Sequence, residues 1–141
     1  MSDDEMIETF QASRDSFEEV VKLIKEEPSL HEETSYVNSQ PDDSASSNIT
    51  QAIKDDLKDL KIKSLRVSRS ASIIDFFRYD PKDEGLLPPP ILKGYTYVSD
   101  EVSDEGWLKH ASLDDVKPCC QVPQYREIND NWYLHVPHVI D

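Results

Sequence analysis

Glycine is scarce in this chain. The three glycines in 141 residues, Gly85, Gly94 and Gly106, stand apart from one another, so there is no glycine-rich loop whose backbone N–H groups close around a phosphate. Cysteine is scarcer, with one adjacent pair, Cys119 and Cys120. Neighbouring cysteines build no disulfide framework, and a reducing compartment, cytoplasmic or nuclear, is expected. No apolar run approaches the ~20 residues of a membrane span. The start, Met1-Ser2-Asp3-Asp4-Glu5, is acidic where a secretory leader is basic and then apolar. Positive charge is also in deficit, with 15 Lys and Arg against 29 Asp and Glu and a net charge of −14. That excess repels phosphates, so neither direct nucleic-acid binding nor membrane association is expected.

Hydrophobic residues make up 37% of the chain and charged residues 31%, with 9 prolines as interruptions. Ordering each residue costs ~1–2 kcal/mol of backbone entropy, which so lean an apolar content offsets only locally. The expected fold class is therefore a mostly disordered chain with α+β elements: an acidic N-terminal amphipathic helix, a second short helix and a small C-terminal region containing a β-hairpin.

Five segments follow from the pattern. Residues 1–28 read as an acidic amphipathic helix. Ser2 and Glu5 form a capping box, Phe10, Phe17, Val20, Val21 and Ile24 recur at helical spacing, and Pro28 ends the run. Residues 29–46 are polar and without period, a linker. The first 46 residues carry 13 acidic and 3 basic side chains. Residues 47–66 read as a basic amphipathic helix with Ile49, Ile53, Leu57 and Leu60 on one face. Residues 67–94 hold an aromatic short motif and a proline-rich spacer around Pro88-Pro89-Pro90. Residues 95–141 form a small β-containing region, in which Tyr95-Thr96-Tyr97-Val98 alternates like a strand. Strands at 125–128 and 132–136 flank an Asn129-Asp130-Asn131 turn.

No catalytic residues and no cofactor are expected. Cys119, Cys120, His135 and His138 are ligand types within one window, but zinc sites space their cysteines by two to four residues, so no metal site is expected. Pairing either cysteine with His110 is an arrangement that any chain of this content permits, and the chain reads as a non-enzyme. The expected activity is binding and regulation through short segments. A protein partner, basic in character, would take Phe10, Phe17, Val20 and Ile24 into an apolar groove. Phosphorylation is expected at Ser2, Ser16 and Ser112, each with an acid three residues on, and at Ser68 and Ser72, which follow arginines.

Short resemblances point to partners. Arg69-Ser70-Ala71-Ser72 is similar to ligands of phosphoserine adaptors of the 14-3-3 type, with Ile74 where proline is common. Ile24-Lys25-Glu26-Glu27 resembles an acceptor for SUMO conjugation. Ser70-x-x-Ile73-x-x-Phe76-Phe77 resembles the peptide by which replication and repair proteins dock on the sliding clamp PCNA, with Ser70 in place of the leading glutamine. That resemblance implies that Ile73, Phe76 and Phe77 plug a partner's pocket. In organisation the acidic helical start is similar to phosphoproteins of negative-strand RNA viruses, which implies a virus-encoded accessory protein. A compact small domain with a ligand site is the remaining alternative.

Overall fold

The computed structural model describes residues 3–30, 32–38, 48–78, 93–100, 102, 108–113, 124–129 and 131–136. The expected N-terminal helix is present as two, α1 (Asp3–Ala12) and α2 (Arg14–Lys25). Ser13 breaks the run. Its N–H closes α1 on the carbonyls of Thr9 and Phe10, and its own carbonyl accepts the first bonds of α2, from Ser16 and Phe17. Serine suits such a junction because it starts helices more readily than it continues them. The capping box at Ser2 lies outside the described residues.

The linker is partly a strand. Residues 35–38 form β1 (Ser35–Asn38), paired antiparallel with β2 (Ser64–Val67). The bonds that make it a strand come from a segment almost thirty residues away, which no local period reveals.

The second helix, α3, runs Asn48–Asp59, shorter than the expected 47–66. Lys61 sits in the left-handed region at φ 59°. Its N–H reaches the Lys58 carbonyl, while Ile62 N–H reaches back to Leu57 at 2.9 Å. This is the Schellman arrangement, and the Leu57 and Ile62 side chains that accompany it are both buried. The chain then enters β2 and turns through Ser68–Ser72 into β3 (Ile73–Phe77). Ser70 and Ala71, at φ 66° and 53°, form that turn.

The remaining strands are β4 (Gly94–Val98), β5 (Leu108–Lys109), β6 (Gln124–Asn129) and β7 (Trp132–Val136). The β6–β7 hairpin lies where the sequence places it, with Asn131 at φ 70° and a register irregularity at Glu127/Asn129. The sheet order is β1-β2-β3-β4-β7-β6-β5. Among the described residues six strands pair antiparallel, and β5 adds parallel to β6. The architecture is α+β.

One face of this sheet packs on the helices. Leu65, Ile74, Phe76, Tyr95, Trp132 and Leu134 come from the strands, and Phe10 and Phe17 arrive from α1 and α2. The Phe10 ring lies 5.2 Å from Phe17 and 5.0 Å from Trp132. Phe17 lies 4.9 Å from Tyr95 and meets Phe76 edge-on at 5.4 Å. A core that draws on residues from Met6 to Val136 argues against a mostly disordered chain, the part of the expected fold class that the described residues do not show. Its apolar content is modest, but five aromatic rings meet at one place, each burying ~150–250 Å².

Asp3 ties the start of the chain into this body. Its carboxylate is fully buried, 2.8 Å from the equally buried Lys93 ammonium and 2.9 Å from the Arg126 guanidinium. It also accepts the Leu113 N–H. Among the described residues no helix is long and apolar enough to cross a membrane.

Candidate functional site

Strand side chains alternate between faces, so the residues between the core positions line the face turned away from the helices. In four strands one of them is a polar residue between two apolar ones: Arg66 in Leu65-Arg66-Val67, Asp75 in Ile74-Asp75-Phe76, Thr96 in Tyr95-Thr96-Tyr97 and His135 in Leu134-His135-Val136. The register sets Tyr36 opposite Arg66, Arg66 opposite Asp75, Asp75 opposite Thr96, and Thr96 opposite Tyr133. Directly opposed side chains on one face lie within reach of one another, so this register lays a polar row across the sheet. His135 enters from the next row, where it pairs with Gly94 and Tyr125.

The row is connected. Arg66 donates to Asp75 Oδ2 through Nη2 at 2.6 Å and Nε at 3.1 Å. Burial alone would lower the Arg66 pKa, but the Asp75 charge and its hydrogen bonds outweigh burial and raise it. Thr96 Oγ1 donates to Asp75 Oδ1 at 2.8 Å and lies 2.7 Å from His135 Nδ1. A hydroxyl has one hydrogen. Since Thr96 gives its hydrogen to the carboxylate, His135 Nδ1 must be the donor to Thr96. The tautomer is thereby set, with Nδ1 protonated and Nε2 carrying a bare lone pair. That Nε2 is buried and has no hydrogen-bond partner among the described residues.

Apolar and aromatic groups enclose the imidazole. Phe77 meets it edge-on at 5.6 Å, and the Arg66 guanidinium lies 5.7 Å over the same phenyl ring. Gly94 lies under the ring. A Cβ there would stand 2.5 Å from His135 Cε1 and 2.6 Å from the Phe76 carbonyl, so only glycine lets the imidazole lie flat on β4. Burial pushes the His135 pKa down, and Arg66 adds to that. The Asp75 charge and the Tyr95 backbone oppose it without prevailing. Tyr125, stacked edge-on with Tyr133 at 5.9 Å, has its hydroxyl pushed well above the ordinary phenol range. Burial is the main cause, Asp75 adds to it, and Arg66 opposes it.

A second concentration of charge lies on the helical layer. Where α2 packs on α3, Asp56 is raised above the usual carboxylate value, first by burial and then by Glu19, Asp59 and Asp55. These three neighbouring charges are all negative. Glu19, Asp55 and Asp59 are exposed, and Asp56 is half-buried.

The residues expected to meet a partner are otherwise engaged in the folded chain. Phe10, Phe17, Val20 and Ile24 are in the core on the helical side. Ile73, Phe76 and Phe77 all belong to the inner strand β3, where the adjacent Phe76 and Phe77 point to opposite faces of the sheet, and both are buried. Docking them in a partner's pocket on one turn requires β3 to leave the sheet. Ser68 and Ser72 hydroxyls lie 3.2 Å apart at the neck of the β2–β3 turn, and Ser68 Oγ accepts the Ile73 N–H. Ser16 is half-buried in the first turn of α2, and Ser112 is exposed. Lys25 donates to Tyr97 Oη at 3.0 Å. Ser2, the proline-rich spacer, Cys119, Cys120 and His138 lie outside the described residues.

Asp75 escaped sequence reasoning, while Arg66 entered it only as the arginine before Ser68, Thr96 only as part of a strand and His135 chiefly as a metal-ligand type. The available signal was a polar residue flanked on both sides by apolar ones in each of four strands. No protein-family profile, curated protein or solved structure matches the chain.

Proposed function

We propose that this is a non-catalytic binding protein that presents the acidic outer surface of its helical layer to a protein with a basic surface. The convergence of Glu19, Asp55, Asp56 and Asp59 at the α2–α3 contact supports this reading. Like charges brought together oppose the packing of two helices, and a partner's lysines and arginines relieve that opposition on binding. The net charge of −14 extends the attraction beyond contact and speeds encounter with a basic partner. Folded helices, rather than extracted Phe10 and Phe17, then carry the recognition.

The test compares the whole chain with a Glu19→Gln/Asp55→Asn/Asp56→Asn variant. Binding is read by pulldown at low and high salt, and stability by urea unfolding. The expected outcome has opposite signs: the variant is more stable and loses the salt-sensitive basic partner. Equal capture of that partner by both chains sinks the reading, as does its retention at high salt.

A further inference from the structure

We propose that His135 makes the helix-free face of the sheet an acid-sensitive latch, in which proton uptake at Nε2 loosens strand β7 from β4 and β6. The geometry leaves the proton one place to go. Nδ1 is already committed to Thr96, so an acid proton enters at Nε2, which is buried and has no hydrogen-bond partner among the described residues. A new N–H donor placed there goes unsatisfied, and a new charge sits in a closed, largely aromatic setting.

The groups facing the ring decide whether that charge is welcome. From β2 comes the cation Arg66, and from β3 come Asp75 and the Phe77 ring. From β4 come Thr96, Gly94 and the Tyr95 backbone, which favours the protonated ring, from β6 comes Tyr125, and from β7 itself comes Tyr133. Asp75 is the only anion among them, 4.0 Å from Nδ1. It already holds Arg66 at 2.6 Å, whose charge offsets part of its field at the ring and leaves burial the larger effect. The direction of the His135 pKa agrees, lowered chiefly by burial. Gly94 beneath the ring leaves no room for the imidazole to swing toward β4. Relief therefore requires His135 to move outward, and with it the pairing to Gly94 and Tyr125.

The sign follows from linkage. A histidine whose folded pKa lies below its unfolded value near ~6.5 binds fewer protons folded than unfolded. The chain therefore keeps its full stability above that pH and loses it as pH falls from there toward the folded value.

The experiment uses the whole chain with three readouts between pH 7.5 and 5: ring ¹⁵N shifts of His135, amide exchange in β7 and β6, and the urea midpoint. A His135→Asn variant, whose side-chain amide still donates to Thr96 but does not titrate in this range, is measured beside it. The expected results are an Nδ1–H tautomer at pH 7.5 and titration below the ordinary histidine value. Protection factors at Tyr133–Val136, with the intrinsic pH dependence of exchange divided out, should fall at least tenfold by pH 5, and both pH effects should be flattened in the variant. An Nε2–H tautomer, titration at or above the ordinary value, or an equal pH response in His135→Asn would overturn the proposal. The ring shifts of the unaltered protein decide it even if the variant fails to fold.

Discussion

The hydroxyl of Tyr95 donates to the Met6 carbonyl at 2.8 Å, joining strand β4 to helix α1 across 89 residues of chain. Met6 already lies within the hydrogen-bonded run of α1, so the bond uses its second lone pair and costs the helix nothing. It fixes the height at which α1 sits on the sheet.

Removing that hydroxyl gives the first prediction. Tyr95→Phe should lose ~1 kcal/mol at neutral pH. Burial pushes the Tyr95 pKa up to about 12, against a small opposing effect of Arg78. The folded state thus resists ionisation, and the stability this provides is complete below pH ~10 and lost between there and the folded value. Urea unfolding from pH 8 to 11.5 should show a shallower alkaline decline in the Phe variant than in the parent.

The aromatic centre gives the second. Phe10→Ala or Phe17→Ala should each destabilise by ~3–5 kcal/mol. Trp132 stands 5.0 Å and 5.7 Å from these rings, so each change should also shift its emission when read in a Trp107→Phe background. Unaltered emission and stability would return both rings to the role of partner anchors.

Asp3 gives the third. Asp3→Asn leaves the Lys93 and Arg126 cations, which meet at Asp3, without its charge and should cost ~3–5 kcal/mol. Asp4→Asn, one position along on an exposed surface, should change stability by less than ~0.5 kcal/mol. Thermal denaturation of the two variants side by side measures the difference.

The end of α3 gives the fourth. Lys61 holds a left-handed conformation at φ 59°, which costs a residue with a Cβ ~1–2 kcal/mol. Lys61→Gly should therefore stabilise, by up to ~1 kcal/mol after the entropy that glycine adds to the unfolded chain. Lys61→Val should destabilise. Chemical denaturation of the pair tests the sign of each.

Much of the local structure was legible. The stripe Phe10, Phe17, Val20, Val21, Ile24 announces apolar faces at helical spacing, and the Asn129-Asp130-Asn131 turn announces the β6–β7 hairpin. These signals survive because i to i+4 bonds and tight turns are satisfied by near neighbours. The aromatic run Ile73-Ile74-Asp75-Phe76-Phe77 shows the complementary case. Its spacing suits a one-turn peptide motif, yet it becomes an inner strand once β2 and β4 supply its hydrogen bonds from either side.

The polar row was set by register alone. Nothing near Arg66 in the chain says that Asp75 will stand opposite it, or that Thr96 will bridge Asp75 to His135. A slip of one residue in any strand would send these side chains to the helical face. Sequence by itself determined the acidic charge, the helical stripes and the C-terminal hairpin, because each depends on residues a few positions apart. Only the tertiary structure decided which face each strand buries, where β1 pairs, and that His135 keeps a bare Nε2, because those follow from long-range pairing and from the burial that the assembled sheet imposes.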